Sequence, residues 1–339
     1  MSWRPSTDTN QLSQLQQLSQ LRQRAKVISQ IRAFFAARDV LEVDTPVMSH
    51  YGVSDPHIDS IPVTFTPDGV SLNQQKDQHK SQPMYLMSSP EYAMKRLLAA
   101  GSGCIYQIAK AFRNGEAGRR HNPEFTLLEW YRLHFNLEQL MQEVASLIDT
   151  VLADEALVWQ FLSYRQAFEN VLSLDPLTAS DEAIRAKALD HVDIKMDVST
   201  PRDTWLDLLM SHCVEPQLPK ACFIFDYPAS QAALARISMD EQGNKVARRF
   251  EVYVNGIELA NGYHELTDAQ EQQRRFEVDN TTRRAMGKIP MAADIRLIAA
   301  LQAGLPECSG VALGIERLLM LASNEQDIAK VMAFNHHLA

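Results

Sequence analysis

Three arginines, a histidine and several carboxylates crowd into one stretch of this chain, Arg113 to Tyr131, which reads RNGEAGRRHNPEFTLLEWY. Arginine suits phosphate or carboxylate because its planar guanidinium offers paired donors. Glu124 and Glu129 follow in the same stretch. One unit therefore carries groups for an anion at one end and a cation at the other, although a solvated hairpin tip has a similar composition. A second stretch, RFEVYVNGIELANGYHE from Arg249 to Glu265, holds Glu251, Glu258 and Glu265. Glu251 and Glu258 lie on either side of Asn255-Gly256, so they are expected to meet across a hairpin. Exposed carboxylates on a polar sheet face are the alternative. The intervening Ile257, Leu259, Ala260 and Asn261-Gly262 look buried or tight, and a carboxylate in such surroundings needs a cation or a proton. Two carboxylates with nucleotide phosphates make a natural magnesium site.

Two smaller signals accompany these. CSGVALGIER, Cys308 to Arg317, reads as a glycine-punctuated strand passing directly into a helix. Glycine there lets a ligand approach the backbone. Arg317 falls in the first helical turn, where the dipole disfavours a cation, so an anionic partner is expected. At Ser88-Ser89-Pro90-Glu91, Ser89 suits the N-cap, Pro90 the first helical position and Glu91 the positive end of the dipole. Capping accounts for Ser89 and Pro90 and leaves Glu91 as either a dipole partner or a ligand for an ammonium group. No Ser/His/Asp or Cys/His arrangement stands out. Cys104, Cys213, Cys222 and Cys308 lack the paired spacing of a zinc site or disulfide framework.

The elements that must position these groups follow from periodicity and punctuation. CIYQIAKAF and FTLLEWY are strands on either side of the charged loop, which is too long for an economical hairpin. Residues 11–38 carry apolar side chains at helical spacing and predict a long amphipathic helix, at least from Leu21 onward. Such a face is either core or a subunit interface. Val40 to Val43 forms a short strand before Pro46, residues 66–82 an exposed loop, and Tyr85-Leu86-Met87 another short strand. The helix begun at Pro90 stops at Gly101, and LEQLMQEVASLIDTVL is a clear amphipathic helix. Residues 155–220 read as a helical insertion without chemistry. Cys222 to Phe225 is a buried strand, and Asn255-Gly256 closes a hairpin.

The bulk properties bound the function. With 339 residues, 45% hydrophobic and 22% charged, the chain has ample material for a core. The net charge of -9 repels nucleic acid, so any RNA contact must be local. No run approaches membrane-spanning length and the N-terminus lacks a signal-peptide core, so a cytoplasmic protein is expected.

Helix, strand and Pro46, then an arginine-led strand-loop-strand, then a glycine-rich strand and helical arginine resemble motifs 1, 2 and 3 of the class II aminoacyl-tRNA synthetases. FRN…RHNPEFTLLEWY and ELANGYHEL resemble the lysyl branch, and the likeness spans about residues 25 to 335. It implies an α+β catalytic fold, an antiparallel sheet flanked by helices, over 25–339 after a lead of 1–24. The lead is short, so no anticodon-reading OB-fold and no selective tRNA charging are expected. SPEY.MKRLL, RFEVY..GIELANG.HELTDA and CSGVALG look like the paralogues of that branch that attach (R)-β-lysine to a lysine of translation elongation factor P.

The resemblance implies an aminoacyl adenylate made from ATP, with Mg2+, and transferred to the protein acceptor, within a homodimer built through motif 1. Arg113 would hold the α-phosphate and substrate carboxylate, and Arg120 and Arg317 the outer phosphates. Asn114, Gly115, Asn122 and Leu259 would contact ATP, Phe125 would stack on adenine, and Gly314 would admit the nucleotide. Glu251 and Glu258 would coordinate magnesium. Ser89, Pro90 and Glu91 would line the amino-acid pocket, and Glu129, Tyr131, Asn261 and Glu265 would receive the distal ammonium. Lys95, Arg96 and Arg119 are candidate acceptor contacts, with solvated surface charge the default for each. Three residues depart from the lysyl pattern: Gly115-Glu116 is exchanged, Glu316 replaces aspartate, and Ala312 replaces glycine, where one methyl is worth about 1–3 kcal/mol in discrimination. A minimal α-lysine-activating enzyme and a catalytically silent regulatory paralogue are the alternative readings.

Overall fold

The computed structural model describes residues 11–66, 82–153, 157–192, 197 and 200–339, so the loop expected at 66–82 lies almost wholly outside the described residues. In chain order, helix α1 (Gln11–Ala36) precedes the short strands β1 (Leu41–Glu42), β2 (Met48–Ser49), β3 (Pro62–Phe65) and β4 (Gln82–Leu86). Helix α2 (Glu91–Ala99), strands β5 (Ile105–Phe112) and β6 (Glu124–Leu133) and helix α3 (Leu137–Val151) follow. Next come β7 (Gln160–Ser163), helices α4 (Tyr164–Leu172), α5 (Asp181–His191) and α6 (Arg202–Leu209), then β8 (Ala221–Pro228) and β9 (Ile237–Met239). The chain finishes with β10 (Lys245–Val254), β11 (Ile257–His264), α7 (Ala269–Ala285), α8 (Ile295–Gly304), β12 (Cys308–Gly314) and α9 (Ile315–Ala322).

Period-two alternation on β6 shows how the sheet is built. Leu128 and Trp130 point to one face, where α1, α3 and α9 cover them with Phe35, Leu140, Val144 and Leu319. Phe35 stacks on Tyr106 with ring centroids 4.4 Å apart, and the Trp130 indole donates to Glu143 at 3.0 Å. Glu129 and Tyr131 point to the other face. The main sheet runs β1-β5-β6-β12-β11-β10-β8-β7, with β9 paired to β10. Only the outer pairs β1/β5 and β7/β8 are parallel; the interior is antiparallel, as expected.

Register decides which side chains share the open face. Glu129 pairs with Ala312, Ala312 with Asn261, and Asn261 with Glu251, so one row crosses four strands. The next row is Tyr131, Gly310, Tyr263 and Arg249. Gly310 is obligatory here: an added Cβ would lie 2.3 Å from Tyr131 and 2.6 Å from Glu265. Asn255 and Gly256 turn the β10–β11 hairpin with φ of 51° and 69°, the double left-handed geometry that Asn-Gly favours.

The 155–220 segment is not helical throughout. Gln160–Ser163 adds a strand to the sheet edge, parallel to β8. Helices α4 to α6 pack on the same sheet through Phe168, Trp205 and Leu206 against Ile224 and Tyr253. No helix among the described residues is long and apolar enough to cross a membrane.

Candidate active site

The open face of the sheet, α2 and the loop after β5 enclose a cavity of about 570 Å3, within the range of ligand sites. Ser89, Glu91, Arg113, Arg120, Asn122, Phe125, Glu258, Leu259, Asn261, Ala312, Gly314 and Arg317 line it. Pro90, Asn114, Gly115, Glu129, Tyr131, Glu251 and Glu265 are not in that lining. Asn114 and Gly115 form the turn after Arg113, and Glu251 belongs to a neighbouring cavity.

At the arginine end, the Arg113 guanidinium lies 5.2 Å from the Phe125 ring centroid and 3.5 Å from Glu116. Its buried Nε has no partner among the described residues, a donor left for an anion. Gly115 adopts φ +81°, a conformation that disfavours any side chain, so glutamate at that position would be strained. The next residue, Glu116, lines the cavity instead. Arg120 donates to the Gly256 carbonyl at 2.7 Å, and Asn122 donates to the Glu124 carbonyl at 2.6 Å while accepting from the His336 amide at 3.0 Å. Arg317 has the expected anionic partner: it lies 3.3 Å from the Glu258 carboxylate, and also donates to the Glu258 carbonyl at 2.7 Å and to His121 at 2.8 Å. Burial first, then Arg317, lowers the His121 pKa, which suits its accepting role. Glu316 serves as a clamp, accepting from Arg24 of α1 at 2.9 Å and from the Thr126 amide at 2.8 Å.

Glu251 and Glu258 do not pair directly, contrary to the expectation from the turn. Glu251 stands opposite Asn261 and Glu258 opposite Tyr253, because a β-bulge falls between those pairs. Strict alternation from Asn261 would send Glu258 into the core; the extra residue, Leu259, re-aims it to the face that carries Glu251. Burial first, then the Glu251 charge, raises the Glu258 pKa. Glu251 is held by Arg249 and by the Tyr253 hydroxyl at 2.7 Å. Among the described residues no cluster of three or more His, Cys, Asp or Glu forms a metal cage. Two mutually repelling carboxylates beside the cavity nonetheless fit a cation that completes its shell with phosphate oxygens and water.

At the carboxylate end, Glu129 is buried and accepts from the Ser89 and Tyr131 hydroxyls at 2.7 Å each. Burial, reinforced by Glu91, pushes its pKa up to about 7. Ser89 also accepts from the Glu91 amide at 3.0 Å, while the helix itself begins at Glu91, one residue later than expected. Capping therefore does not account for Ser89 completely: its hydroxyl also fixes Glu129. The Asn261 side-chain oxygen is buried without a partner among the described residues, an acceptor left for an ammonium group.

The surface default for Lys95 is wrong. Its side chain is 1% exposed, with Nζ 2.7 Å from Glu91 and 2.5 Å from Glu265. Burial opposes its charge, but Glu265 and Glu91 outweigh that and raise its pKa. Sequence alone gave one signal for it, the Glu91–Lys95 spacing of four on a helix. Arg96 does remain exposed, and Arg119 donates to the Gln326 carbonyl at 2.9 Å.

An antiparallel sheet with arginines on a strand-loop-strand and at a strand–helix junction, around a nucleotide-sized cavity, defines a class II synthetase catalytic domain. The family of class II tRNA synthetases (D, K and N) matches residues 4–337, and the chain belongs to it. It is 52% identical over 316 residues to the elongation factor P–(R)-beta-lysine ligase of Proteus mirabilis, covering 92% of this chain and 93% of that one. The ligase of the same name from Mannheimia succiniciproducens is 50% identical over 314 residues, again 92% and 93%. That of Vibrio atlanticus is 50% identical over 337 residues, 98% of each chain.

Proposed function

We propose that this protein activates (R)-β-lysine with ATP and transfers it to the ε-amine of a lysine of elongation factor P. The observation that carries the reading is the pairing of unmet groups in one cavity. Among the described residues Arg113 Nε lacks an acceptor and the Asn261 side-chain oxygen lacks a donor. Glu91, Glu129 and Glu265 with Lys95 leave two formal negative charges when all are ionised (three minus one). A substrate with one carboxylate and two ammonium groups matches both. The names of the relatives supply the particular amino acid and acceptor.

In the first half-reaction a substrate carboxylate oxygen bonds to the α-phosphorus of ATP. The bond to the bridging oxygen breaks and pyrophosphate leaves with the electron pair. Arg113 would hold both reacting groups, and Arg120 and Arg317 the outer phosphates. Both would exchange present partners, Gly256 and Glu258, for phosphate. Phe125 offers a stacking face for adenine, and Glu116 supplies the carboxylate that Gly115 lacks. Glu251 and Glu258 would hold magnesium, which would neutralise phosphate charge. In the second half-reaction the neutral acceptor amine bonds to the acyl carbon, the bond to the phosphate oxygen breaks, AMP leaves as an anion, and the surplus nitrogen proton passes to solvent. Positioning and charge stabilisation suffice for both steps. Leu18, Leu21, Leu41 and Met48 are exposed around motif 1 and suit a second copy of the chain; light scattering at micromolar concentration tests that dimer.

ATP–pyrophosphate exchange with (R)-β-lysine and with L-lysine, followed by intact-mass analysis of elongation factor P, tests the assignment. Exchange with (R)-β-lysine and a matching mass gain are expected. Preference for L-lysine, or exchange with neither, overturns it.

A further inference from the structure

The 155–220 segment carries chemistry that its sequence did not announce. Between α4, α6, β10 and α7 lies a second cavity of about 800 Å3, which shares Asp55, Ala233, Arg249, Glu258 and Asp279 with the first. Seven carboxylate residues and three arginines line it. Two of those arginines, Arg274 and Arg275, are engaged by Glu271, and Arg249 by Glu251. Asp203 and Asp207 accept from neutral donors, Ser230 at 2.7 Å and Gln231 at 2.9 Å. The second, independent observation is Tyr164. It is 1% exposed, lines the cavity, and its hydroxyl has no hydrogen-bond partner among the described residues.

We propose that this cavity receives the alkylammonium arm of the acceptor lysine on its way to the adenylate. The proposal rests on the functional reading above. A wall in which carboxylates outnumber cations attracts a primary ammonium. The faces of Tyr164, Tyr227 and Tyr253, with Met210 and Val278, suit the aliphatic stem, and the Tyr164 hydroxyl offers a polar contact. The volume far exceeds what one hydrated ion needs, and Glu258 belongs to the walls of both cavities. Burial and Asp203 push the Asp207 pKa up to about 6, so it remains an anion at neutral pH.

The test uses the full chain with ATP, (R)-β-lysine and elongation factor P. Asp207→Asn removes one charge. Ser211→Lys places a competing cation on an exposed helical position of the lining, where folding is least at risk. Each is expected to raise the KM for elongation factor P about fivefold or more, with pyrophosphate exchange unchanged. An unchanged acceptor KM in both variants overturns the proposal. So does parallel loss of both half-reactions in Ser211→Lys, which marks a structural role, or an altered Mg2+ dependence of exchange, which marks a metal site. Wild-type protein that exchanges pyrophosphate but does not modify elongation factor P sinks the functional reading, and this inference with it.

Discussion

Lys95→Met removes the one cation set between Glu91 and Glu265, at 2.7 and 2.5 Å and 1% side-chain exposure. Deleting one partner of a buried pair costs about 3–5 kcal/mol, because the other charge stays uncompensated. With about 2.1 cal/mol/K per residue, 339 residues give an unfolding entropy of about 0.7 kcal/mol/K. The variant should therefore melt about 4–7 °C lower near neutral pH. The deficit must also depend on pH. Burial already lifts the folded-state pKa of Glu265 to about 8 against the pull of Lys95, and removing Lys95 lifts it further above the unfolded value. Stability then is fully present below the unfolded value near 4.3 and is lost as pH rises through the folded one. Calorimetric melts of wild type and variant from pH 5.5 to 8.5 read this directly, and the gap should widen toward the alkaline end. A constant gap, or none, would refute the claim that Lys95 neutralises the pocket. Lys95→Arg, which keeps the charge but not the shape, should restore the pH dependence and only part of the melting temperature.

Further outcomes follow from the same geometry. Glu129→Gln should lower kcat/KM for (R)-β-lysine by about 30-fold or more and leave the KM for ATP unchanged; equal effects on both substrates would contradict the assignment. Glu129 sits at about 7, above the ordinary carboxylate value, so the folded protein favours its neutral form at low pH, and stability carried by that proton is lost as pH rises toward 7. Ammonium binding needs the ionised form, so the KM for the amino acid should fall as pH rises through about 7, and this dependence should vanish in Glu129→Gln. Gly310→Ala puts a methyl 2.3 Å from Tyr131 and 2.6 Å from Glu265; amino-acid activation should collapse, and a wild-type exchange rate would show that the ring and carboxylate can retreat. Glu316→Gln weakens the contacts to Arg24 and the Thr126 amide, and should cost about 1–3 kcal/mol in denaturant melts whether or not ATP is present.

Elements and turns were legible because their causes are local. Asn255-Gly256 between two alternating runs turns with left-handed geometry, leucines at helical spacing on α3 define a buried face, and alternation on FTLLEWY separates Leu128 and Trp130 from Glu129 and Tyr131. The family follows from the order of three such units, with Arg113 and Arg317 at their reactive ends. Tertiary structure decided the rest. A bulge at Leu259, set by pairing with β10, turned Glu258 to the site face. Lys95, which reads as a surface lysine, was buried because Glu265 arrives from just past the end of β11, 170 residues away. Asp203, Asp207 and Tyr164 gained meaning only when α4 and α6 closed over β10. Local conformational preference is written in short stretches of chain, whereas desolvation and charge pairing depend on which distant stretches meet.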